Sequence, residues 1–336
     1  MGGDFAPANI VTGALDALRV SGNRFELIFV GTEHLVLAEL RKHGLNGPGG
    51  NISIVPSQSV IDMHDPATAA VRQKKDSSIA VGIALQTVGK ADAFVSAGHT
   101  GAVMSASTLI LGRIEGVGRP TIGAFFPSSK GVCLVVDAGA NVDCKSQHLY
   151  QFGIMGSIYA REMFGFPNPT VGLLNVGEEE TKGSEIVREA HALLKASGLN
   201  FIGNVEGRDV LAGKANVVVC DGFVGNVLLK FGESVPAFLK HAIREQIEKS
   251  LLAKIVGGLF RSTLRGAMKG MDYEESGGVP VLGVNGVSII GHGKSSPKAI
   301  RNMVLKAEEM IQKNINGSIR QSLAGSAAET THTIAQ

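Results

Sequence analysis

The chain has 336 residues, 44% of them hydrophobic and 18% charged, with a formal net charge of only +2. That length can bury a large core, and so small a charge, carried by interleaved acids and bases, argues against a nucleic-acid-binding protein. Cys133, Cys144 and Cys220 form no CxxC pair, which fits a reduced, cytoplasmic setting without disulfides or structural zinc; no signal-peptide pattern opens the chain, and no window reaches the roughly 20 apolar residues of a membrane span.

Short, β-branched apolar runs predict strands over residues 25–30, 52–55, 93–97, 122–126, 132–136, 171–176 and 217–220. Apolar residues at helical spacing predict helices over 77–88, 147–164 and 185–196. Their alternation predicts an α/β fold with a largely parallel sheet, and the unbroken apolarity of the strands suits a sheet covered on both faces. One continuous domain is expected over 1–316. Within it, residues 235–275 favour helix but are interrupted by Gly257, Gly258 and Gly266, so a helix pair turning near the first two is expected. Its apolar residues could pack on the domain or a partner subunit, or rest on an anionic membrane surface beside Lys254, Arg261, Arg265 and Lys269. Residues 317–336 show no apolar stripe and are expected to form a loose tail.

Glycine is the compositional outlier, with 44 residues and no collagen-like period. Five glycine turns stand out: Met1-Gly2-Gly3-Asp4; Gly98-His99-Thr100-Gly101; Asp137-Ala138-Gly139-Ala140-Asn141; Asn175-Val176-Gly177; and Asp221-Gly222-Phe223-Val224-Gly225-Asn226. Glycine lets backbone N–H groups close on an anion where a Cβ would obstruct them. Four of these turns follow strand-like runs, which predicts their assembly on one edge of a parallel sheet, although each alone also reads as an ordinary tight connection. No GxxxxGK[ST] or GxGxxG pattern occurs, so the ligand reads as an anion without a nucleotide, and neither cofactor nor metal is expected. Lys182, in Gly-Glu-Glu-Glu-Thr-Lys-Gly, could orient phosphate or polarise a carbonyl, or be a solvated loop lysine; His99 could be a base or a structural hydrogen-bond partner. No serine sits in a GxSxG elbow and the cysteines lie within or beside strand-like runs, which disfavours a covalent enzyme intermediate.

Seven ordered motifs, MGGDFAP, KKDSSIAVGIALQ, FVSAGHTGAVMSASTLILGRIEGVGRPTI, VVDAGANVDCK, LLNVGEEETKGSE, FIGNVEGRDVLAG and VVCDGFVGNVLLK, resemble the phosphate acyltransferases of bacterial phospholipid synthesis. The resemblance implies a three-layer Rossmann-like fold related to phosphotransacetylases and isopropylmalate-type dehydrogenases. It implies conversion of acyl-acyl-carrier-protein and inorganic phosphate into acyl-phosphate, for use by a glycerol-3-phosphate acyltransferase. A homodimer is implied as well, touching the membrane peripherally through the tip of the helix pair at Ile255, Val256, Leu259 and Phe260. Lys182 is then the first choice for holding phosphate or the oxyanion, supported by Asn226 and His99, with substrate contacts at Gly2, Gly3, Asp4, Gly98, Thr100, Gly101, Asp137, Gly139, Asn141, Gly177, Asp221, Gly222 and Gly225. Family members usually carry a short strand ahead of MGGD; without it, a sheet position stands empty and the turn at residues 2–4 loses its anchor.

Overall fold

The computed structural model describes residues 1–250, 254, 258, 260, 263, 266, 274 and 277–334, the side chains only as far as residue 324 beyond 277. In chain order the elements are α1 (Ala8–Val20), β1 (Leu27–Gly31), α2 (Glu33–Lys42), β2 (Ile52–Pro56), α3 (Ala67–Gln73), α4 (Ser78–Thr87), β3 (Ala93–Ser96) and α5 (Thr100–Ala106), which runs on into a π-helical turn. There follow β4 (Thr121–Ser128), β5 (Gly131–Val136), α6 (Ser146–Phe164), β6 (Val171–Leu174), α7 (Glu185–Lys195), β7 (Phe201–Val205), α8 (Gly207–Ala212), β8 (Val217–Val219) and α9 (Gly222–Glu248). The last four are β9 (Val279–Leu282), β10 (Val287–Ile290), α10 (Pro297–Gln312) and α11 (Ile315–Ile334).

The fold is α/β, and the unbroken apolar runs behave as expected of strands covered on both faces. Leu134, Val135 and Val136 on β5 and Val217, Val218 and Val219 on β8 are fully buried, and they pair in parallel from Leu134↔Val217 to Val136↔Val219. Eight strands form one sheet in the order β3-β10-β9-β4-β5-β8-β6-β7, and β1 and β2 form a second, parallel pair.

The expectation of one common edge for the turns is corrected. β3 and β10 are parallel, as are β5, β8, β6 and β7, but β10–β9, β9–β4 and β4–β5 are antiparallel, so the two parallel blocks run in opposite directions. The cause is local. Only Ser129 and Lys130 separate β4 from β5, and a connection that short can join strands only as an antiparallel hairpin. The turns at Asp137, Asn175 and Asp221 therefore leave one edge, whereas Gly98 leaves the edge at the end of β3.

β1 and β3 do not pair; a cavity of about 690 Å3, lined by Leu27, Phe29, Phe94, Val95, Ile10 and Ile300 among others, lies between them.

Residues 317–324, the first part of the expected tail, are not loose. Ile315, Ile319 and Leu323 recur every fourth position on α11 and are buried in the core with Phe152, Met155 and Tyr159 of α6. Three apolar residues diluted by small polar ones make a weak stripe, but enough to dock a helix. The region expected to hold a helix pair contains the second half of α9, whose Phe223, Val227, Phe231 and Phe238 are all exposed. Of the expected tip, Phe260 is exposed, while Ile255, Val256 and Leu259 lie outside the described residues.

Candidate active site

Two groups of glycine turns are built. The first joins the turn after β5 to the start of α9. Asp137 is fully buried, and its carboxylate accepts N–H bonds from Ile122 (3.2 Å), Ala140 (3.1 Å) and Asn141 (2.6 Å) and from the Asn141 side chain (2.8 Å). Burial pushes its pKa up, and these hydrogen bonds pull the other way. Asn141 also donates to the Pro120 carbonyl, tying the turn to the entrance of β4. Against this frame, α9 makes a close approach: a Cβ on Gly225 would overlap the Asp137 carbonyl oxygen, and one on Gly222 would lie 2.7 Å from the Asn141 nitrogen. Asp221 caps α9 by accepting from Val224 N–H.

Asp137, Asn141 and Asp221 thus spend their polar groups holding the turn together. Asn226 is different. It sits on the exposed side of α9, 3.3 Å from where a Gly139 Cβ would be, and its amide makes no hydrogen bond among the described residues. Beside it stand the N-terminus of a 27-residue helix, the backbone of Gly139, and dipoles suited to an anion.

Lys182 lies on the next loop of the same edge. Asn175 organises this loop, donating from its side chain to the Lys182 carbonyl (3.0 Å). Two of the three neighbouring glutamates are committed elsewhere: Glu178 pairs with Lys214 and Glu180 with Lys195, each at 2.6 Å. The exposed Lys182 ammonium has no ion pair among the described residues, so its charge is available to a ligand. Gly177 is buried beneath the loop, with its backbone close to the Lys182 stem.

The second group lies at the ends of β3 and β10. Gly98 is pressed on the first turn: a Cβ there would be 2.7 Å from the Gly2 carbonyl oxygen, and one on Gly3 would be 3.1 Å from the Ala97 carbonyl oxygen. Asp4 N–H donates to Gly293 (2.9 Å), and Gly291 N–H to Ser96 (2.8 Å). The turn at residues 291–296 is therefore a third partner of Gly2 and Gly98. It went unnoticed in the sequence although Val287–Ile290 followed by Gly-His-Gly-Lys has the same strand-then-glycine pattern. It places Lys294 in solvent at the head of α10, which Ser296 caps.

His99 has both ring nitrogens engaged. Nδ1 accepts from Ala102 N–H (3.2 Å), which leaves Nε2 to donate to the Asp65 carbonyl (3.1 Å). It caps α5, with Thr100 and Gly101 forming the first turn beyond it. Ala140 of the first group packs on the buried cluster that also contains Ala102 and Val103 of α5.

Burial pushes the Cys133 thiol up to about 12 and the Cys144 thiol to about 11, and raises Cys220 as well. All three remain protonated near neutral pH, which leaves them poor nucleophiles. No group of three or more His, Cys, Asp or Glu suited to a metal occurs among the described residues.

A family model described as a fatty acid synthesis protein matches residues 1–318. A phosphate acyltransferase from Chlorobaculum parvum is 48% identical over 333 residues, covering 96% of this chain and 97% of that protein. One from Pelotomaculum thermopropionicum is 48% identical over 323 residues, covering 96% and 93%. Among solved structures, a phosphotransacetylase from Streptococcus pyogenes superposes with a TM-score of 0.62 over 91% of each chain at 16% identity, a likeness of fold. With relatives this similar over nearly its whole length, the chain belongs to the phosphate acyltransferase family.

Proposed function

We propose that the protein transfers a long-chain acyl group from acyl-acyl-carrier-protein to inorganic phosphate, releasing the carrier thiol and acyl-phosphate. The observation that carries this reading is the 48% identity to phosphate acyltransferases across 96% of the chain. A hydroxyl oxygen of phosphate attacks the thioester carbonyl, the C–S bond breaks as the tetrahedral intermediate collapses, and the phosphate proton ends on the departing sulfur. Phosphate is its own nucleophile. The protein has to bring two reactants together and stabilise the oxyanion, which agrees with buried, protonated cysteines.

In this reading Lys182 holds phosphate or the developing oxyanion, and Asn226 adds an amide donor beside the Gly139 turn and the head of α9. Gly177, Gly222 and Gly225 shape that seat, with Asp137, Asn141 and Asp221 as its frame. Gly2, Gly3, Asp4, Gly98, Thr100 and Gly101 build the companion seat at β3, where His99 acts by holding α5. The exposed stripe Phe223, Val227, Phe231 and Phe238 supports a homodimer through α9, and Phe260 supports membrane contact at the tip beyond it. No described helix is long and apolar enough to cross a membrane. The acyl-phosphate would pass to a glycerol-3-phosphate acyltransferase.

The test is Lys182→Ala, assayed by carrier-thiol release with phosphate. We expect kcat/KM to fall by about 10²–10³, the usual effect of removing one oxyanion donor, with an unchanged urea midpoint. Near-normal turnover in a folded variant removes Lys182 from the mechanism. Offering acyl-carrier-protein and acyl-CoA side by side distinguishes the proposal from a phosphotransacetylase-type reaction.

A further inference from the structure

A cluster of cations borders the Asp137 turn without joining its hydrogen-bonded frame. Arg119 precedes Pro120, whose carbonyl accepts from the Asn141 side chain (2.8 Å), and Lys145 follows Cys144, whose thiol donates to the Asn141 carbonyl (3.5 Å). Arg113 reaches the same place from the chain ahead of β4. Its guanidinium donates to the Gly118 carbonyl, and the His148 ring lies 3.0 Å from where a Gly118 Cβ would be. His148 Nδ1 accepts in turn from Lys145 N–H (3.1 Å). Three exposed cations are thus gathered at one partly buried imidazole.

Their charge is uncompensated. None of Arg113, Arg119 and Lys145 has an ion pair among the described residues. They stand at the head of α6, whose first turn carries no acid although the positive end of a 19-residue helix favours one. Burial lowers the His148 pKa, and Arg119, Lys145 and Arg113 each lower it further. Glu115 and Asp143 are exposed close by in the chain, but neither pairs with these cations among the described residues, and neither is among the charges acting on His148. The surface is also preformed: Arg113 makes an isolated β-bridge with Val284, its carbonyl accepts from Asn285 Nδ2 (2.8 Å), and Gly118 N–H donates to Gln151 of α6 (2.8 Å). Such a surface loses little conformational freedom when a partner settles on it.

The occupant follows from charge and place. The cationic side chains stand in solvent and offer a face rather than a pocket, which suits a macromolecule of opposite charge. Ile114, Val117 and Cys144, the apolar residues of segments 113–119 and 144–148, are all buried, so the patch has nothing to insert into lipid. In the proposed reaction the acyl group arrives on a protein, whose thioester must reach the seat that Asn141 frames. We propose that Arg113, Arg119, Lys145 and the head of α6 form the docking surface for an acidic face of the acyl-carrying protein; this rests on the acyl-carrier reading of the substrate.

The experiment measures binding of apo-acyl-carrier-protein, which has neither pantetheine nor acyl group, to the full-length protein by fluorescence anisotropy, so that contact between protein surfaces alone is read. Arg119→Glu combined with Lys145→Glu should raise Kd about tenfold or more, and salt raised from about 50 to about 300 mM should weaken the wild type far more than this variant. Arg19→Glu, a reversal on α1, should leave Kd unchanged, and thermal melting checks that each variant is folded. A folded double variant that binds within about twofold of the wild type overturns the docking surface and leaves the substrate reading standing. If carrier binding stays intact while binding to phosphatidylglycerol vesicles is lost, the patch is a lipid contact; if it stays intact while the KM for phosphate rises, the patch is an anion seat. Either result overturns the proposal. Failure of the carrier to bind the wild type overturns the substrate reading and the docking surface together.

Discussion

Replacing Asp137 by Asn tests whether the turn after β5 is an electrostatically sewn frame. In the wild type one carboxylate receives four N–H donors, the closest being Asn141 N–H at 2.6 Å and Asn141 Nδ2 at 2.8 Å, both on Oδ2. An amide is nearly the same size, but one of its two positions is a donor. Keeping its oxygen towards Ile122 and Ala140 points the new NH2 at the two Asn141 donors, and turning it over transfers the conflict to the other pair. Either way two buried donors lose their acceptor, at about 1–3 kcal/mol each, so a loss of about 4 kcal/mol is expected. That is a large share of the roughly 5–15 kcal/mol that holds a typical domain together. Urea unfolding followed by far-UV circular dichroism measures it, with the slope checked for two-state behaviour. A loss below about 1 kcal/mol would show that the carboxylate is not what secures Asn141, and the frame described for the α9 seat would have to be abandoned.

Lys306 is held over the Phe125 ring, 3.9 Å from its centroid, and burial lowers its pKa to about 8 from 10.5. The unfolded chain binds more protons than the folded one between those values, so stability rises with pH across that window and the full cost is present below it. Lys306→Met should therefore stabilise by roughly 1–3 kcal/mol at pH 7, with the advantage gone near pH 10.5; a gain that does not vary with pH refutes the attribution. Phe231→Asp should convert a dimer to monomers in sedimentation equilibrium without lowering the monomer's helix content, and an unchanged mass would exclude this stripe as the dimer contact. Ile319→Ala, in the first turns of α11, should cost about 2–4 kcal/mol in chemical unfolding, whereas a loose tail would give no change.

Much of the sheet was legible in the chain because its strands are covered on both faces: runs such as Val217 to Val219 have few readings other than a buried strand. The direction of those strands was less legible. The two-residue link between Ser128 and Gly131 carried the information that β5 must reverse β4, but alternating strands and helices suggested a uniformly parallel sheet. At the site, residue type identified the polar groups but not their partners. His99 finds Asp65, and Asp137 finds Ile122, through contacts 34 and 15 residues away, and no local pattern shows that such groups are already engaged.

This division between engaged and available groups bears on how an anion could be held beside so many acids. A carboxylate facing a phosphate would repel it, at an energy that grows as water is excluded. Here the acids at the heads of the turns are neutralised by the scaffold: Asp137 by four N–H donors, Asp221 by the first turn of α9, and Glu178 and Glu180 by Lys214 and Lys195. The same bonds that fix the loops remove the acids as competitors for the anion. Lys182 and Asn226 keep their donors unspent on that edge, beside a helix N-terminus, and of the three glutamates next to Lys182 only Glu179 has no ion pair among the described residues. If an acid were released, as in Lys214→Met, Glu178 would be free to pair with Lys182, and the KM for phosphate should rise while kcat at saturating phosphate changes little; an unaltered KM would mean that the pairing of Glu178 does not protect the site.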